Sequence, residues 1–321
     1  MKPNSDIKSF YKFFTPQVGH DALAKKMLRW SPPILFRDPV ELTHLESLPF
    51  TEAELLDEVM RQVSSLILQK EHPRGLPGHS VTQAMHRWRK GDKFSSKEDI
   101  ESSLRNIFVP ILKQYKPKLD SIESDWTKFY KRVRVLNGVS DHANIEAWRN
   151  NALFHRGVAL QFDCHAEGSN DELFDLCKPV EYTNDRLGIT SLQGQVANII
   201  GQADTRAQDQ FLELMSRKPE RLSHEGELRF FHVLTDGIVA EDSKPDTWMT
   251  DLPFATQDLM SVTLGMKAPK KERVAITKIV KENYPHVPIY KAHFADKSYK
   301  VDFELLHEGA LLQPLIPLPQ V

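Results

Sequence analysis

The chain has 321 residues, with 42 Lys or Arg against 44 Asp or Glu and a formal charge of −2. Whole-molecule charge therefore announces neither nucleic acid nor a membrane surface, and two cysteines, Cys164 and Cys177, exclude a disulfide framework or a cysteine zinc cluster. No run reaches the roughly 20 apolar residues that span a bilayer, and "MKPNSDIKSFYKFF" lacks the apolar core of a signal peptide, so a soluble, cytoplasmic protein with no membrane partner is expected.

In chain order, "SFYKFF" (9–14) is aromatic-rich and β-prone. A helix-like stretch (19–28) and a proline-bearing segment follow, giving strand, helix, strand. Thr51 stands three residues before Glu54 in a capping-box arrangement. Leu55, Val59, Val63 and Leu66 then recur at helical spacing. Ile100, Leu104, Ile107 and Ile111 mark a second helix, which Pro110 should kink or end. "IESDWTKFYKRV" makes a third. The pattern then turns β at "RVRVLNGV" (132–139) and "RGVALQFD" (156–163). "DELFDLC" reads as a short helix, "KPVEYTN" as a strand, and 190–216 as one longer helix. A helix over 269–285 precedes the final strands "VPIYKAHF" and "YKVDFELL". The expected organisation is one α+β domain, residues 1–321, with a helical insertion at about 50–131.

The segment "HEGELRFF" (224–231) combines charge with β character. In an extended strand Glu225, Glu227 and Arg229 share one face while Leu228 and Phe230 share the other. Pairing with charges on a neighbouring strand would explain them without any chemistry. Other charged residues fall where strands begin or end: Tyr11 and Lys12, Arg37 and Asp38 in "FRDP", and His155 with Arg156 before "GVALQFD". Singly, each has a bland explanation in a solvated strand position, a turn cap or a helix C-terminal cation.

In sequence order, "FYKFF", "FRDPVEL", "AWRNNALFHRGVALQFD", "PVEY" and "EGELRFF" resemble the motifs of the bacterial domain-of-unknown-function family 2971. Arg37 stands where that pattern has asparagine, and the helix of Trp148 lacks its histidine. The aromatic-basic first strand and the late E-x-E strand are also similar to those of ADP-ribosyltransferases. That resemblance implies a split, bent β core and NAD as a substrate, with no metal. It also implies Glu227 at the nicotinamide ribose and Glu225 at the acceptor. Tyr11, Lys12, Arg37, Asp38, His155, Arg156 and Arg229 would then hold the cofactor, basic members meeting the pyrophosphate. Bacterial proteins of this kind resemble toxins or phage-defence effectors, with an RNA, DNA or protein acceptor and an antitoxin partner.

Two alternatives stay open. A metal-dependent nuclease would use Asp163 or Glu181 with Glu227 and Arg229 in place of E-x-K, although arginine does not readily give up a proton. A non-catalytic nucleic-acid-binding protein would use residues 84–134, where 13 Lys or Arg face seven Asp or Glu. Arg87, Arg89, Lys131 and Arg132 there lie among aromatics.

Overall fold

The computed structural model describes residues 7–36, 48–68, 75–76, 78–90, 97–165, 173–186, 188–203, 207–235 and 248–309. The chain divides into two compact units. One comprises Met1–Arg37, Arg132–Tyr182 and Lys218–Val321, the other Asp38–Lys131 and Thr183–Arg217. The helical segment expected at 50–131 thus lies in a unit that also takes in 183–217.

The first unit is built on an eight-stranded mixed sheet of order β12-β11-β10-β4-β1-β3-β8-β5. These strands are β1 (Ser9–Phe14), β3 (Val133–Val139), β4 (Val158–Asp163), β5 (Cys177–Pro179), β8 (Glu227–Val233), β10 (Leu259–Leu264), β11 (Ile289–Phe294) and β12 (Val301–His307). Every neighbouring pair is antiparallel except β10 with β11. That crossover is made by helix α7 (Lys270–Asn283), as a parallel pair requires. A second ribbon pairs β2 (Met27–Trp30) with β9 (Thr250–Pro253).

Period-2 patterning sorts the sheet's two faces. Phe10, Leu136, Leu160, Phe162, Phe230 and Val262 point into the main core. Helix α1 (Pro16–Lys25) adds Leu23 there, and α7 adds Ile276 and Val280. Rings of Phe10 and Phe230 lie 4.1 Å apart at its centre. The opposite face carries Phe13, Val139, Trp148, Ala159 and Ala292.

The sheet opens between its central strands. β1 pairs with β4 along all six residues but with β3 only at Tyr11↔Val139. Further along β3, Ser31 bridges Val135 in place of β1. Between these points the Asn137 carbonyl accepts from Lys12 Nζ at 2.6 Å. The ammonium thus takes up an acceptor that the ladder leaves vacant, satisfying an otherwise costly buried group.

In the second unit, α2 (Glu52–Leu68) starts with the expected reciprocal cap. Glu54 N–H donates to Thr51 Oγ1 at 3.2 Å, and Thr51 N–H to Glu54 Oε2 at 2.7 Å. Leu55, Val59 and Val63 are buried on it. Pro110 does not end its helix. A single helix, α4 (Lys97–Arg132), runs through Pro110 and Pro117. A proline removes its own N–H bond, but the neighbouring turns keep theirs, and buried Leu104, Phe108 and Leu119 anchor both sides. The long helix expected at 190–216 is two, α5 (Leu192–Ile200) and α6 (Ala207–Leu214). Gly201, at φ 74°, caps the first and stops it there. The helix expected at "DELFDLC" is replaced by bends over 173–176.

Candidate functional site

The strand β8 is buried on both faces over Glu227–Phe231, so its charges must be paired. Glu227 is. Its Oε1 accepts from Arg229 Nε at 2.9 Å and its Oε2 from Lys218 Nζ at 2.8 Å. Its backbone N–H donates to the Tyr182 hydroxyl at 2.8 Å. Lys218 ends β7 (Arg217–Lys218) and also bonds Glu225 Oε2 at 2.5 Å. One ammonium therefore bridges the two glutamates. Burial pushes the Glu227 carboxyl above its ordinary range, against the pull of Lys218.

Glu225 reaches this place by a different route from the one expected. It closes a 3₁₀ helix, Glu220–Glu225, instead of sitting in the strand. Gly226, at φ 55°, then turns the chain into β8. A left-handed glycine between the glutamates breaks the strand alternation, and Lys218 is what brings their carboxylates together.

Above this face of the sheet is a cavity of about 180 Å³. Its lining includes Tyr11, Phe13, Asn137, Val139, Glu146, Asn150, Asn151, Lys218, Glu225 and Glu227. The register Tyr11↔Val139↔Glu227 sets three of these in one row across β1, β3 and β8. The Tyr11 ring is stacked on His142 at 4.4 Å, and His142 on Phe303 at 3.6 Å. His142 Nε2 lies 2.8 Å from Thr263 Oγ1. Burial lowers the His142 pKa to about 4, so this imidazole is neutral at pH 7.

The remaining wall is a π-helix, Ala147–Asn151, preceded by Glu146. Asn144 starts it, its Oδ1 accepting from Ala147 N–H at 2.8 Å while its Nδ2 donates to the Glu225 carbonyl at 2.9 Å. That one side chain ties two walls of the cavity together. Beyond the π-helix, Leu153, Phe154 and His155 have φ of 48°, 54° and 65°. Three successive left-handed residues other than glycine cost roughly 1–2 kcal/mol each. The turn is held by Phe154 N–H to Arg149 O at 2.9 Å and His155 N–H to Trp148 O at 3.0 Å. Wide helical turns and stored backbone strain both concentrate at functional sites.

The expected catalytic and cofactor residues divide accordingly. Tyr11, Glu225 and Glu227 line the cavity. Lys12 lies behind it on Asn137, its pKa lowered to about 8 by burial against the opposing pull of Glu227. Arg229, expected at the pyrophosphate, is fully buried and holds Glu227 instead. Burial lowers its pKa to about 9. His155 and Arg156 are outside the lining, and the Arg156 side chain is exposed. Arg37 and Asp38 lie outside the described residues.

Of the basic set, Arg87 is exposed on α3 (Ser80–Lys90). Arg89 Nη1 donates to the Leu66 carbonyl at 2.6 Å. Lys131 lies in the last turn of α4, and Arg132 Nε donates to the Leu234 carbonyl at 2.7 Å. Two of the four thus satisfy backbone acceptors.

Sequence reasoning missed Lys218, Asn137, Asn144, Glu146, Asn150 and Asn151. Asn144 carried a usable signal, a helix-capping residue just before "IEAWRNN". Lys218 carried none, since nothing in "SRKPERL" marks it. No helix among the described residues is long and apolar enough to cross a membrane. Among the described residues no group of three or more His, Cys, Asp or Glu is placed to hold a metal ion. Compared with known proteins, the chain matches no family model, no curated protein and no solved structure.

Proposed function

We propose that the cavity receives the nicotinamide-ribose end of NAD and that the chain is an ADP-ribosyltransferase-like enzyme. The observation that carries this reading is the pair Glu225 and Glu227 beside Tyr11 on one small cavity. At about 180 Å³ it suits one or two rings, since roughly 150 Å³ already takes benzene. The adenosine end and the pyrophosphate would stay outside. The lining carboxylates are all paired, Glu227 with Lys218 and Arg229, Glu225 with Lys218 and Glu146 with Arg149, so they offer a positive ring fixed carboxylate oxygens without a large excess of negative charge.

When the bond from nicotinamide nitrogen to the ribose breaks, its electron pair leaves with nicotinamide and positive charge develops on the sugar. A carboxylate already fixed in a site of low dielectric stabilises that charge without reorganising. Glu227 is fixed in this sense, with Lys218 and Arg229 each holding one oxygen. Glu225, with 29% of its side chain exposed, is placed to meet an acceptor hydroxyl or amine and take its proton. The split between β1 and β3, closed by Lys12, supports the same reading.

The nuclease alternative is weakened by Lys218. That reading needs Glu227 as a magnesium ligand beside Asp163 or Glu181, and Lys218 and Arg229 already hold the two Glu227 oxygens. The deciding measurement is nicotinamide release from NAD, with transfer of labelled ADP-ribose to RNA, DNA and protein. Wild type is expected to turn over and Glu227→Gln to lose about 10²–10³ in rate. Absence of both NAD binding and turnover in the wild type would refute the proposal.

A further inference from the structure

Two segments beside the cavity carry positive charge and no acid. Residues 147–156 and 264–271 hold five Lys or Arg (Arg149, Arg156, Lys267, Lys270 and Lys271) in a chain whose formal charge is −2. Backbone bonds of 2.9 Å, from Gly265 N–H to the Gly157 carbonyl and from Lys267 N–H to the His155 carbonyl, lay one segment against the other. All five cations are exposed. Burial, together with the nearby Lys267 ammonium, lowers the His155 pKa. The flanking acids are Glu146, paired with Arg149 at 3.4 Å, and Glu272, so positive charge stays in surplus. In the same place Leu153 and Phe154 are 43% and 63% exposed, although both are held at left-handed φ. Backbone strain that sets a phenyl ring in water points to a partner for the ring.

We infer that this shelf binds a single-stranded nucleic acid, a base stacking on Phe154 and phosphates meeting Arg149, Arg156 and Lys267, and that this strand is the acceptor. The acceptor role rests on the NAD reading above, whereas the binding does not. Charge selects a polyanion, and the exposed ring selects one with free planar faces. A duplex keeps its base faces inside the stack, and an acidic peptide lacks them. Arg149 sits on the π-helix whose Asn150 and Asn151 line the cavity. Phe154 follows Asn151 by three residues, a span of at most about 11 Å. A nucleotide next to the stacked base therefore comes to the cavity mouth. In the transfer its hydroxyl or amine forms a bond to the ribose carbon and gives its proton to Glu225. Nicotinamide leaves with the electron pair of the broken bond.

The test is fluorescence anisotropy of the full chain, without NAD, against labelled single-stranded RNA, single-stranded DNA of the same sequence, and the duplex of each. At least one single strand should bind about tenfold more tightly than its duplex, and the tighter strand names the sugar. Three phosphate contacts give a slope of about −2 in log affinity against log salt. Phe154→Ala should weaken single-strand binding about tenfold, and Phe154→Trp should restore it. Arg156→Gln combined with Lys267→Gln should bring the slope to about −0.7. All three side chains are exposed, so these variants should fold as the wild type does, which circular dichroism checks. No binding at low salt, or Phe154→Ala without effect, would overturn this inference. Equal binding of a labelled polyglutamate would also overturn it, in favour of an acidic protein. With NAD absent, none of these results bears on the NAD reading. A chain that binds the strand as expected but neither binds nor turns over NAD would overturn that reading and the acceptor role with it.

Discussion

The ion pair beneath the cavity makes a quantitative demand on stability. Arg229 is fully buried and its Nε stands 2.9 Å from Glu227 Oε1. Removing one member of such a pair leaves a buried charge without its counterion, which costs roughly 3–5 kcal/mol. Arg229→Met should therefore cost that much, although Lys218 still holds the other Glu227 oxygen. Glu227→Gln should cost at least as much, because it takes the carboxylate away from the fully buried Arg229 guanidinium, even though Lys218 retains Glu225 as a partner. In the double variant no uncompensated charge remains between the two positions. Its cost should fall short of the summed single costs by at least about 1 kcal/mol, within the range seen for contacting residues. Urea unfolding followed by circular dichroism and tryptophan fluorescence measures this, the two probes together checking two-state behaviour. Additive single effects of less than about 1 kcal/mol would refute the pairing argument. The experiment also separates two roles of Glu227. A rate loss of 10²–10³ in Glu227→Gln protein that remains folded cannot come from stability alone.

Other expectations follow from single contacts. An added Cβ at Gly157 would stand 1.9 Å from the Phe14 carbonyl oxygen, so Gly157→Ala should yield little folded protein on expression. At Gly226 nothing is nearer than Asn144 Nδ2 at 3.6 Å, but φ is 55°. Gly226→Ala should fold with a loss of about 1–2 kcal/mol in chemical denaturation. The His142 pKa is lowered to about 4 by burial. The unfolded chain therefore binds the proton first, and stability should fall as pH drops from about 6.5 to 4, with the slope reduced in His142→Phe. The Lys12 pKa is lowered to about 8, so the folded state carries the cost of a buried ammonium below that pH. Stability should rise as pH goes from about 8 to 10.5, by about 3 kcal/mol, and Lys12→Met should flatten that rise in pH-dependent melts.

Where one rule governed a segment, the sequence was legible. Amphipathic spacing located Leu55, Val59 and Val63, because burial there answers to local periodicity, and β-prone runs located the strands β3 and β4. The strand β10 went unrecognised although it lies near the middle of the sheet. Its residues, "LMSVTL", are buried on both faces at five of six positions, so it offers no alternation to read. Helix α4 ran through two prolines because tertiary packing outweighed a local propensity.

The site shows the same division. Tyr11 and Glu227 fall in one row because β1, β3 and β8 are adjacent, an adjacency of strands more than 200 positions apart in the numbering that no local pattern contains. The face assigned to Glu225, Glu227 and Arg229 needed an unbroken strand, and Gly226 supplies a left-handed turn in its midst. What restores the proximity of the two glutamates is Lys218, whose single ammonium bonds both. The pairing first considered as a purely structural account of these charges is therefore present, yet it does not compete with a role in binding. A carboxylate in a strand buried on both faces must be neutralised to exist there at all. Neutralisation from behind by Arg229 and from the side by Lys218 leaves the Glu227 carboxylate fixed at the cavity wall. The same contacts that let Glu227 be buried are those that would pre-organise it.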